Sequence, residues 1–120
     1  MPTPEYILAP LRSSTDPDAM VMVQLAKIGS DLRKTHAPEF AFEAENSAIA
    51  LAIANELAGL NFDVEVQPPE AEDENPNYWV IAKRAMILEL AVLRALSAQF
   101  EVLAGKHRAS YDGWGAEIIE

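Results

Sequence analysis

From Phe62 to Gln67 apolar and polar side chains alternate without a break, Phe62, Val64 and Val66 against Asp63, Glu65 and Gln67. Successive side chains of a strand point to opposite faces, so this stretch requires a sheet with one buried face and one wet face. Pro68 and Pro69 stop the strand, and Gly59 and Asn61 ahead of it are helix-stopping residues. Whatever else the chain builds must cover the Phe62 side of that sheet.

The neighbouring patterns supply the cover. Ile49, Ile53, Leu57 and Leu60 recur at helical spacing and predict a helix over about 47–60. A longer helix over about 87–104 carries Leu90, Leu93, Ser97, Phe100 and Leu103 along one side, and Gly105, Lys106, His107 and Arg108 close it. Thr35–Ala44 alternates with His36, Phe40 and Phe42 on the buried parity, while Tyr78–Arg84 is rich in aromatic and β-branched residues. Ala116–Ile119 is expected as a last short strand, and Glu70–Asn77 as a solvated acidic loop. Asp16-Pro17-Asp18 has the form of a helix start, giving an additional N-terminal helix over about 16–29. Residues 1–15, with Pro2, Pro4 and Pro10, read as an extended arm, leaving one domain over 16–120. The order strand, helix, strand, strand, helix, strand predicts an α+β fold. It is the ferredoxin-like βαββαβ sandwich, with two helices on one face of a four-stranded antiparallel sheet. By parity Glu39, Glu43, Asp63 and Glu65 share the uncovered face.

Charge and composition remove several function classes. Nine Lys and Arg against nineteen Asp and Glu give a formal net charge of −10, which repels phosphate backbones and anionic membranes. There is no cysteine, hence no disulfide, thiolate metal site or thiol catalysis. The longest apolar run, Ala48–Ala54, is far short of the roughly 20 residues of a membrane helix. The opening residues have no basic, apolar leader, and a cytoplasmic protein is expected.

No catalytic, cofactor-binding or metal-ligating residues are assigned. His107, Tyr111 and Asp112 can be drawn as an acid–base trio, but no nucleophile is spaced with them, and a small hydrolase is a minor alternative. Glu70, Glu72, Asp73 and Glu74 lack a calcium-loop pattern, and His36 on a buried parity reads as a core histidine rather than a ligand. Phe40, Phe42, Tyr78 and Trp79 bring base-stacking sheets to mind, but the basic residues such sheets use are missing, so direct RNA binding is also minor. Tyr111-Asp112-Gly113-Trp114-Gly115 is the least generic stretch. Its glycines predict a turn that holds Trp114 mostly buried, with Tyr111 and Asp112 nearer the surface. Tyr111, Asp112, Trp114, Glu39, Glu43, Asp63 and Glu65 are the candidate partner-binding residues. A homodimer formed through Met20, Met22 and Leu25 is the alternative.

That pentapeptide after a long helix, Asn61-Phe62-Asp63-Val64 at the start of a strand, and an acidic segment before Tyr78-Trp79-Val80-Ile81 together resemble the RraB family of ribonuclease regulators over about residues 30–119. The resemblance implies a ferredoxin-like fold. It also implies a non-enzymatic, cofactor-free regulator that binds the non-catalytic scaffold region of an RNA-degrading endonuclease, with protein rather than RNA as its ligand.

Overall fold

A computed structural model describes residues 3–70 and 76–120. Helices α1 (Glu5–Arg12) and α2 (Pro17–Lys27) lead into strands β1 (Thr35–His36) and β2 (Glu39–Ala44). There follow α3 (Ser47–Gly59), β3 (Asp63–Gln67), β4 (Tyr78–Lys83), β5 (Met86–Ile87), α4 (Leu90–Lys106) and β6 (Ser110–Gly115). The described residues fall into two compact units, one within Met1–Pro38, Ala85–Ser97 and Gly115–Glu120, the other within Glu39–Arg84 and Ala98–Trp114.

The helix boundaries follow from local chemistry. Asp16 caps α2 by accepting from the Asp18 amide at 2.9 Å, and Asn46 caps α3 by accepting from the Ile49 amide at 2.9 Å. The last three helices end alike. Gly29 (φ 111°), Asn61 (φ 70°) and Arg108 (φ 58°) take left-handed conformations just beyond α2, α3 and α4. The next amide then reaches back five residues: Ser30 to the Leu25 carbonyl at 3.0 Å, Phe62 to Leu57 at 3.2 Å, Ala109 to Ala104 at 2.8 Å. Glycine and asparagine adopt that conformation readily; Arg108 holds it at a cost of about 1–2 kcal/mol.

The second unit contains the sheet, in the order β3-β4-β2-β6, which is the ferredoxin-like arrangement. β4 is antiparallel to both β2 and β3. Helix α3 packs on β2, β3 and β4. Phe100, from the C-terminal part of α4, stands edge-on to Phe40, Phe42, Phe62 and Tyr111 at centroid distances of 5.1, 5.3, 5.6 and 5.5 Å. Edge-on geometry sets the positive rim of one ring against the negative face of another, adding about 0.5–1.5 kcal/mol per pair to what apolar burial supplies. Phe40, Phe42, Val80, Ala82, Ile53, Leu57 and Phe100 are fully buried here.

In the first unit α1 packs on α2, and β1 pairs antiparallel with β5. Ser97 donates to the buried Asp18 carboxylate at 2.9 Å, and Arg94 pairs with Asp16 at 2.8 Å.

Several expectations need correction. The proline-rich start is helical over Glu5–Arg12, because Pro4 sits at the N-cap, where a missing amide costs no helical bond, and Pro10, inside the helix, removes a single one. The single strand foreseen over Thr35–Ala44 is divided at Pro38, and β1 pairs with β5 apart from the main sheet. That pairing takes Ile87 out of the last helix, expected over about 87–104, which runs over Leu90–Lys106. The pentapeptide is not a turn leading to a strand but is itself the edge strand β6, and Ala116–Ile119 is outside any strand. Of the acidic loop, Glu72, Asp73 and Glu74 lie outside the described residues, and Glu70 is exposed.

Candidate acidic sheet surface

Strand register builds the uncovered face row by row. Asp63, Lys83 and Glu39 form the first row across β3, β4 and β2; Glu65, Ile81 and Ala41 the second; Gln67, Trp79 and Glu43 the third. Glu39, Asp63, Glu65, Gln67 and Lys83 are exposed, and Ala41, Glu43, Trp79 and Ile81 half-buried. Four carboxylates thus share the surface with one ammonium group, Lys83, whose Nζ is 3.7 Å from Glu39 Oε1. Both partners of that pair are half-exposed, so water screens it and its worth is below about 1 kcal/mol. Glu39, Asp63, Val64, Glu65, Ile81 and Lys83 line a shallow depression of about 240 Å³. An apolar strip of Trp79 and Ile81 therefore runs down the middle, with carboxylates on either side.

The pentapeptide residues divide between the faces. The Tyr111 ring lies 5.2 Å from that of Phe42, and the Trp114 ring 6.3 Å from that of Phe40, so both belong to the inner, aromatic side. Two residues three apart in a regular strand would face opposite ways. The extra residue is absorbed at Gly113, whose φ of 96° is closed to ordinary side chains, in the manner of a β-bulge. The space around Gly113 is open, so backbone angle and not crowding makes glycine necessary there. Asp112, exposed and next to Tyr111, points to the outer face and adds a fifth carboxylate. Trp114 is half-buried rather than mostly buried, and Tyr111 is half-buried with it.

Sequence reasoning had not assigned Trp79, Ile81 and Lys83 to the outer face. The signal was present in the alternation of Val80 and Ala82, which fixes the parity of β4 once these are placed in the core. Phe40 and Phe42 are fully buried and offer no stacking surface.

The other polar clusters are engaged internally. Glu56 pairs with Lys106 and, at 3.1 Å, with His107 Nε2; Lys106 first and then His107 hold its carboxyl below the usual range. His107 is thus occupied by Glu56, while Tyr111 lies among the rings and Asp112 faces outward, so the acid–base trio does not assemble. In the first unit His36 Nδ1 meets the Lys34 carbonyl at 2.8 Å and Nε2 meets Ser30 Oγ at 2.5 Å. Both side chains are buried, so this serine–histidine pair is walled off from substrate and ties the segment after α2 to β1. The same segment accepts Thr3 and Ile119: Thr3 Oγ1 donates to the Ser30 carbonyl at 2.7 Å, and the Asp31 amide donates to the Ile119 carbonyl at 2.7 Å. Asp31 binds Arg33 through its side chain, which lowers its pKa to about 2. Met22 and Leu25 are buried, which leaves Met20 as the exposed member of the expected dimer surface. Among the described residues no cluster of ligating side chains could hold a metal ion, and no helix is long and apolar enough to cross a membrane.

The fold and surface define a class: a small α+β domain with an aromatic core under two helices and an acidic, partly apolar sheet face on the other side. The chain belongs to the RraB family, described as regulator of ribonuclease activity B, which matches residues 15–116. No curated protein matches the chain.

Proposed function

We propose that this protein is a non-enzymatic, cytoplasmic regulator of ribonuclease activity that acts by binding protein, its contact surface being the outer face of the sheet. Family membership supports the regulatory role. The observation that carries the surface is the register, which gathers Glu39, Glu43, Asp63 and Glu65 around Trp79 and Ile81. Carboxylates on both sides of an apolar strip suit a partner segment with cationic and apolar side chains, and complementary charge speeds encounter. The scaffold region of an RNA-degrading endonuclease is the partner we assign. The same charge repels RNA, so the regulator would work on the enzyme and not by sequestering its substrate.

The test compares the native chain with one carrying Glu39→Lys, Glu43→Lys and Glu65→Lys, each immobilised and exposed to bacterial lysate. The native chain is expected to retain a ribonuclease, to slow its RNA cleavage, and to associate more slowly as salt shortens the Debye length from ~10 Å toward ~3 Å. Equal retention by both chains removes the sheet face from the reading. Retention of no ribonuclease by either removes the nuclease.

A further inference from the structure

Strand β3 is where the acidic face meets an open end of the hydrogen-bonding ladder. It lies at the edge of the sheet and pairs with β4 alone. Among the described residues no backbone hydrogen bond joins Asp63–Gln67 to any other segment. An edge strand turns alternate N–H and C=O groups outward, where a further strand can take them up. Nothing in β3 blocks this: it contains no proline, and its register with β4 runs unbroken from Asp63↔Lys83 to Gln67↔Trp79. The opposite edge differs, since β6 is bulged at Gly113.

The side chains of β3 indicate what would fit. Val64 and Val66 face inward yet are half-exposed, whereas their register partners Ala82 and Val80 are fully buried. The core is therefore left incomplete at this margin. On the other side of the strand Asp63 and Glu65, both exposed, stand two residues apart.

Building on the protein-binding reading above, we propose that β3 is a strand-addition site for an extended segment of the partner protein in which Lys or Arg alternate with β-branched apolar residues. The cations face Asp63 and Glu65 across the new strand pair, the apolar residues cover Val64 and Val66, and main-chain bonds supply the common affinity. A second copy of this chain fits poorly, because continuing the sheet through two β3 strands sets carboxylate against carboxylate on the outer face.

The probe is a synthetic peptide of about nine residues alternating lysine with valine, long enough to span an ordinary strand. Amide hydrogen exchange is read in the whole chain. Bound peptide is expected to slow exchange within Asp63–Gln67. Two further peptides carry N-methyl groups on alternate residues in opposite phase, which blocks the donors on one edge of the peptide strand at a time. One phase should weaken binding about tenfold or more, and the other should be tolerated. In the Asp63→Lys, Glu65→Lys chain the lysine peptide should lose affinity and a glutamate–valine peptide should gain it, an exchange of preference that an unfolded variant cannot show.

Equal binding by both methylated peptides overturns strand addition in favour of unspecific attraction to the acidic face. Protection of β3 at high protein concentration without peptide overturns it in favour of self-pairing. Absence of peptide binding while a ribonuclease is still captured overturns strand addition and leaves the protein-binding reading intact. Peptide bound on β3 with no ribonuclease captured supports strand addition and points to another partner.

Discussion

Trp114 and Trp79 sit on opposite faces of one sheet, both half-buried, in surroundings that have little in common. Trp114 lies beside Phe40 in a cluster of rings packed against α4, whereas Trp79 lies between Gln67 and Glu43 with carboxylates in the adjoining rows. The inner face is defined by volume: its rings must interdigitate. The outer face is defined by charge: its side chains largely keep their water. Substitutions on the first should therefore register as stability, and on the second as binding.

The largest effect expected is from Phe100→Ala, which removes the ring touching Phe40, Phe42, Phe62 and Tyr111. Urea unfolding should show a loss of about 3–5 kcal/mol. A loss under about 1 kcal/mol would mean that the inner face is not the main core. The two tryptophans then sharpen the contrast. Trp114→Ala should cost about 2 kcal/mol, less than a fully buried ring, and Trp79→Ala below about 1 kcal/mol while weakening partner capture. Reversed magnitudes would exchange the roles of the two faces.

Smaller still, Arg108→Gly should raise stability by roughly 0.5–1 kcal/mol, because the left-handed angle at the end of α4 no longer meets a Cβ. Glu39→Gln and Glu65→Gln should leave unfolding within about 0.5 kcal/mol of the native chain, as exposed charges generally do. Asp31 provides the opposite case of a buried, paired carboxylate. Its pKa is held at about 2, below the ordinary 3.8, so the stability it contributes with Arg33 is complete above that ordinary value and fades as pH falls from 3.8 toward 2. Asp31→Asn should lower stability above that window, flatten the acid limb of the profile within it, and change little below it.

Much of this was written in local pattern. The alternation of Phe62–Gln67 and the stripe of Leu93 and Phe100 located a strand and a helix and ordered the elements as the sheet has them. The strand carrying Tyr111 and Trp114 was not legible, because two glycines in six residues signal a turn unless a partner strand is known to hold them extended. The division at Pro38 belongs to the same class: β1 exists through its pairing with Met86–Ile87, far along the chain. On the surface, the carboxylates of β2 and β3 could be placed by parity. The central row of Trp79, Ile81 and Lys83 needed the register of β4 before it could be given a side.

Gly113 has a consequence for substitution. Because the left-handed angle at Gly113 brings both Tyr111 and Trp114, three residues apart, to the inner side, a side chain that forbids that angle would restore simple alternation with the strand's length unchanged. Trp114 would then turn to the outer face, beside the acidic rows, and the core would lose a ring without any core side chain having been replaced. A change of one backbone angle is in this place equivalent to moving a tryptophan through the sheet.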